Sequence, residues 1–189
     1  MDFQTNIVLK GCTVTTLADI LPEHPPMRML IVGKAPSPVS VEKGHYFQGP
    51  QGRLFWGRLE EAGILQRENG LFHDELLVRQ GFGVTDIAKL PLPFGQEPTP
   101  EEYREGWRRV EAVVARLHPQ ILTFVYKGAL DAVLRNSFGW KHTAHYGFNE
   151  DLLRTFGRRV FAFPLPGTPC TRGVAVKAMA ALKTELASI

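Results

Sequence analysis

Met29-Leu-Ile-Val-Gly-Lys-Ala-Pro-Ser-Pro-Val-Ser-Val-Glu-Lys-Gly-His-Tyr-Phe-Gln-Gly-Pro-Gln-Gly-Arg-Leu-Phe-Trp56 is the stretch on which the fold turns. It begins with a continuous apolar run, Met29 to Val32, of the kind buried on both faces of a parallel sheet. Gly33 ends the run, and a tight turn leads through a polar, aromatic-bearing loop into a helix. Along that helix Leu54, Phe55, Leu59 and Ala62 recur at helical spacing, with Gly63 placed to close its C-terminus. In an open α/β sheet the ligand pocket forms at the carboxyl ends of the strands. Lys34, Ala35, Pro36 and the run His45-Tyr46-Phe47 are therefore the first site candidates. Phe163 to Gly173, FPLPGTPCTRG, has the same build, and two such turns facing each other would make a cleft.

The rest of the chain repeats this alternation. Residues 1–28 read as a lead-in, with Thr16-Leu-Ala-Asp-Ile-Leu21 as a short helical turn. Gly81 to Ala88 is a second central strand ending in the carboxylate of Asp86, and Leu90 to Pro98 is a Pro-rich loop. Thr99-Pro-Glu-Glu102 is a capping box with proline at the first helical position. Tyr103, Trp107, Val110, Val114 and Leu117 then form one apolar face. Ile121 to Tyr126 is a third strand, running into Lys127-Gly128 and a helix over 129–136. Residues 137–157 read as irregular, and Arg159 to Phe163 is a fourth strand. The C-terminal helix carries Ala175, Met179, Leu182 and Leu186 on one face. Strands alternating with helices imply a three-layer αβα architecture around a parallel sheet with right-handed crossovers.

Bulk properties bound the function. With 189 residues, 44% hydrophobic and 22% charged, the chain is expected to be one soluble domain (1–189). No apolar run reaches membrane-spanning length and Met1-Asp2 opens no signal pattern, so a cytoplasmic monomer is expected, with no membrane partner. Two cysteines, Cys12 and Cys170, are too few for a four-thiolate cluster. A net charge of +3 permits a polyanionic partner without demanding one. Lys34 after a glycine is not a phosphate loop, because Arg28 and Ala35 occupy the positions that need Gly and Ser/Thr. His142 and His145 have no further metal ligand close by in the sequence; no metal and no cofactor are expected.

Read together, the two turns resemble the uracil-DNA glycosylase superfamily, most closely its mismatch-specific uracil and thymine-DNA glycosylase branch. The residues that carry the likeness are Gly33-Lys34-Ala35-Pro36-Ser37, Gly44-His45-Tyr46-Phe47, Gly49-Pro50 and Phe55-Trp56. Supporting it in the same order are TLADIL, Gly83-Val84-Thr85, Lys127-Gly128 and the turn from Pro164 to Arg172. The resemblance implies a four-stranded parallel sheet with DNA across the strand ends, and a base extruded into a pocket. It makes Phe47 the aromatic that stacks on that base, with Gly33, Ala35, Pro36 and Leu165 around it. It makes Pro166, Gly167, Thr168 and Pro169 the loop pressed into the groove. Position alone leaves Phe47 equally a core aromatic and the second turn an ordinary helix entry. Lys43, Arg53, Lys127 and Arg172 are the expected phosphate contacts.

Two positions depart from the family pattern. Ala35 stands where the branch has asparagine, and Leu165 where relatives place histidine or asparagine against the leaving base. Cleaving an N-glycosidic bond needs a held water and stabilisation of an anionic base. The remaining catalytic candidates are Asp86, Lys34 and His45. Asp86 reads either as the group that orients water or reads a base edge, or as a solvated or capping carboxylate. Lys34 reads as a base-anion or a phosphate contact. The expected function is excision of uracil or a related damaged or mismatched base during base-excision repair. The alternative is a DNA-binding or damage-sensing relative with little or no glycosylase activity.

Overall fold

A computed structural model describes all 189 residues. Its centre is a five-stranded sheet in the order β4 (Phe82–Asp86), β3 (Met29–Gly33), β5 (Ile121–Phe124), β7 (Arg159–Ala162), β6 (Gly147–Phe148). The strands β3, β4, β5 and β7 are parallel, as the alternation of strands and helices requires. A fifth strand, β6, pairs antiparallel to β7 within the stretch read from sequence as irregular. Two residues are too few to show a period, so pairing with β7 alone makes it a strand.

β3, β4 and β5 are buried along their whole length because both of their faces are covered. Met29, Ile31, Phe82, Val84, Ile121 and Phe161 face one apolar cluster, built with α2 (Pro50–Glu61) and the C-terminal helix (Arg172–Ser188). Leu30, Val32, Leu122, Phe124 and Val160 face the other, built with α3 (Pro100–Leu117) and α4 (Lys127–Phe138). The β3-to-β4 connection and the β4-to-β5 connection run in opposite directions along the sheet and on opposite faces, as one-handed crossovers demand. Strand order therefore reverses beside β3, and a doubly wound sheet opens its crevice at such a point. α3 begins at the capping box expected of it: Thr99 accepts from Glu102 N while the Glu102 carboxylate accepts from Thr99 N at 2.8 Å.

The amino-terminal segment differs from expectation. It is a β-hairpin, β1 (Gln4–Leu9) and β2 (Cys12–Leu17), and the helical turn expected at Thr16 to Leu21 does not form. Thr16 and Leu17 pair with Thr5 and Gln4, and Ile20 exchanges both backbone bonds with Val84 at the sheet edge. Lys10 and Gly11 both have positive φ (50° and 80°), the geometry of a two-residue turn matched to strand twist. In the hairpin the burial of β1 alternates residue by residue, although its sequence Gln-Thr-Asn-Ile-Val-Leu does not alternate polar with apolar. No helix is long and apolar enough to cross a membrane.

Candidate active site at the carboxyl edge of the sheet

Gly33 and Asp86 are register partners at the last paired position of β3 and β4. The two strand ends approach so closely that a β-carbon added at Gly33 would collide with Asp86 Oδ1 and lie 3.2 Å from the Phe47 ring. Only glycine leaves room there for a carboxylate and an aromatic ring together. Asp86 is fully buried, and neither of its carboxyl oxygens meets a hydrogen-bonding group of the protein. Burial pushes this carboxyl up to about 7; Lys89 and Arg109 oppose the rise and Asp19 adds to it. A buried, unsatisfied carboxyl that titrates near neutrality is costly to maintain, and such groups concentrate at functional sites.

Phe47 reaches this position through an unusual backbone. Ser37 caps α1 (Pro38–Lys43), Gly44 closes it in the left-handed conformation, and Phe47 follows at φ 57°. A bulky side chain in that region stores strain, and it persists because the loop is pinned. Ser40 Oγ accepts from Gln48 N at 3.0 Å, Asp74 accepts from Tyr46 N at 2.7 Å, and Trp56 Nε1 donates to Tyr46 O at 3.2 Å. A β-carbon on Gly52 would strike the Phe47 backbone, so the first turn of α2 presses on the loop from below. The Phe47 ring is 8% exposed and meets Phe55 and Trp56 edge-on at 5.0 and 5.5 Å. It borders both the apolar cluster and the carboxyl edge.

The remaining candidates divide by what already holds them. Ala35 is half-buried and Pro36 buried, with Pro36 O accepting from Leu92 N at 2.9 Å. Lys34 Nζ is bound to Glu97 Oε1 at 2.7 Å and to Gln96 O at 2.9 Å, so the Pro-rich loop neutralises it. His45 is buried between Phe72, stacked at 3.6 Å, and the edge of Phe3, while Nδ1 meets Asp74 Oδ1 at 2.9 Å. Burial raises the Asp74 carboxyl despite the Tyr46 and His45 bonds. His45 thus anchors the loop from inside. Leu165 is 2% exposed, belongs to the same apolar cluster as Phe47, and offers only backbone polar groups.

Pro166 to Pro169 form a surface turn. Gly167 has φ 81°, and the Thr168 hydroxyl donates to Leu165 O at 2.6 Å. Lys43, Arg53 and Arg172 are exposed, Arg53 also donating to Gln48 O at 2.9 Å. Lys127 is half-buried and paired with Asp131 at 2.6 Å. Sequence reading missed Asp19, Lys89 and Arg109, which meet beside Asp86 although they lie far apart in the chain. Asp19 sits in the segment read as a helical turn, and nothing local to Lys89 or Arg109 distinguishes them from solvated charges.

A doubly wound sheet in which β3 ends in a Gly-x-x-Pro turn, beside a buried aspartate and a pinned aromatic loop, defines a class of α/β domain with its candidate site at the carboxyl edge of the sheet. The family model for the uracil DNA glycosylase superfamily matches residues 23–168, and the chain belongs to that superfamily. A G/U mismatch-specific uracil DNA glycosylase of Schizosaccharomyces pombe is 33% identical over 98 residues, 51% of this chain. The match spans 30% of that relative's length.

Proposed function

We propose that the chain hydrolyses the N-glycosidic bond of uracil, or of a related damaged or mismatched base, flipped out of DNA for base-excision repair. The observation that carries this reading is the Asp86 carboxyl, fully buried with both oxygens free at the strand end, in contact range of Gly33 and Phe47. Superfamily membership and the mismatch-specific relative support the substrate class.

In this mechanism the extruded base stacks on Phe47, an interaction worth ~1–3 kcal/mol. The bond from sugar to base breaks with its electron pair passing to the base nitrogen, leaving a cation-like sugar. Ionised Asp86 holds a water beneath that sugar and accepts its proton as the oxygen bonds to the anomeric carbon. Pro166 to Pro169 fill the space that the base vacates in the stack. Lys43, Arg53 and Arg172 take backbone phosphates; Lys34 and Lys127 join them by exchanging Glu97 and Asp131 for phosphate.

A second reading, a DNA-binding or damage-sensing protein with little excision, is favoured by one feature. Leu165 and Ala35 supply no side-chain donor for the departing base anion. Duplexes and single strands carrying uracil, hypoxanthine, xanthine or thymine mismatches, probed for abasic sites, decide between the two. Excision of at least one base that is lost in Asp86→Asn supports the glycosylase. Binding without excision by either protein supports the sensor.

A further inference from the structure

Behind the Asp86 strand end lies a group of charges that the reaction described above does not use. Arg109, on α3, donates through Nη2 to the backbone oxygens of Asp86 and, at 3.2 Å, Ile87. Its Nη1 reaches Thr85 Oγ1 at 3.0 Å and Asp19 Oδ2 at 3.1 Å. Asp19 Oδ1 takes both the Lys89 ammonium and the Thr85 hydroxyl at 2.6 Å. Lys89 completes its three donors with Leu17 O at 3.0 Å and the Tyr46 hydroxyl at 3.1 Å, and that hydroxyl donates to Ala18 O at 3.1 Å. The connections join the segment after β2, the end of β4, α3 and the loop that carries Phe47. None of them reaches the Asp86 carboxyl oxygens.

We propose that Arg109, Asp19 and Lys89 are positioning residues for the reaction, a fixed cation–anion–cation group that anchors the strand end carrying Asp86 and sets the field at its carboxyl. This inference rests on the catalytic reading of Asp86. Arg109 uses a planar fork to grip two successive carbonyls, which a lysine point charge does not reproduce. Asp19 links the two cations and stands on the segment before residue 23, where the family match begins. The charged and titratable groups around Asp86 are Lys89 from its own loop, Asp19 from the amino-terminal segment, Arg109 from α3, and the phenols Tyr46 and Tyr126. Lys89 and Arg109 favour its ionised form, and Asp19 favours its neutral form. A purely structural cluster lowers stability whichever member is removed. A field-setting cluster moves the titration of Asp86 in opposite directions according to the sign of the charge removed.

The test is a carboxyl-carbon NMR titration of the full chain labelled at aspartate, with the Asp86 signal assigned by its loss in Asp86→Asn. Asp19→Asn is expected to lower the Asp86 midpoint, and Lys89→Gln to raise it, each by about one pH unit, the spread that local environments commonly produce. In parallel, the acid limb of single-turnover excision moves the same way in each variant. Arg109→Lys keeps the charge, leaves the midpoint nearly in place, and lowers the single-turnover rate by ~10-fold or more with little change in DNA affinity, because the reacting group is displaced. Midpoints unchanged in both Asp19→Asn and Lys89→Gln, or moving in the same direction, overturn the proposal. Full excision by Asp86→Asn instead refutes the catalytic reading, while the titration still reports on the charge cluster by itself.

Discussion

Replacing Asp86 by asparagine is expected to make the protein more stable, and more so as the pH rises. The carboxyl is fully buried, and its folded-state midpoint is about 7 against an ordinary 3.8, chiefly through desolvation. A group whose midpoint is raised by folding binds more protons in the folded state. The stability associated with its protonated form is fully present below pH 3.8 and is lost as the pH rises to and through about 7. Each pH unit between the two midpoints corresponds to ~1.4 kcal/mol, so a separation of about three units amounts to ~4 kcal/mol at pH 8. Asparagine has nearly the same shape and no charge at any pH, and its unsatisfied amide costs about what the protonated acid costs. Asp86→Asn should therefore match the parent at pH 4 and exceed it by ~3–4 kcal/mol at pH 8. Urea unfolding of both proteins at pH 4, 5, 6, 7 and 8 measures the difference directly. A difference that stays flat across this range, or a variant less stable at pH 8, would refute the picture of a buried carboxyl held against its own desolvation. A gain in stability accompanied by loss of excision is the trade-off expected of a functional group maintained at a structural cost.

Gly33→Ala places a methyl group against Asp86 and should abolish excision through displacement of the carboxyl, with a stability loss of ~1–3 kcal/mol from overpacking; activity close to the parent's would mean that the strand end yields easily. Phe47→Ala removes a ring 8% exposed and packed on Phe55 and Trp56, so it should cost ~3 kcal/mol in urea unfolding as well as weaken binding to uracil-containing duplex. Phe47→Leu, which restores apolar volume without a stacking face, separates the two effects. Duplex affinity should fall steeply between 50 and 200 mM salt, and Arg53→Ala and Arg172→Ala should each reduce the slope of log affinity against log salt by roughly one; a salt-insensitive association would exclude phosphate contact by these residues. Ala35→Asn, which returns an amide to the turn after β3, should raise uracil excision by ~10²-fold or more if that amide can hold the water, as read by abasic-site formation.

How much was legible in the sequence varied with the range of the interactions that fix each part. β3 declared itself as a short apolar run, and α3 by its capping box and apolar face, because burial on both sides of a sheet and a helix's own period are written locally. The turn from Gly33 to Pro36 and the aspartate at the end of β4 followed from the same logic, since strand ends of a parallel sheet share one edge. The amino-terminal hairpin was missed because its second strand ends inside a segment that looks helical by itself, and only pairing with β1 and with Val84 holds it extended. Tertiary structure alone decided which polar groups were free. Lys34 is taken by Glu97 from a loop sixty-three residues away, whereas the partner of Lys127, Asp131, lies one turn on in the same helix. His45 is satisfied by Asp74, twenty-nine residues away, whereas the Asp86 carboxyl oxygens meet no donor of the protein. Hydrogen bonding and desolvation depend on what surrounds a side chain in space, and the spacing of residues along a chain records only the part of that environment that lies within a few turns or one strand.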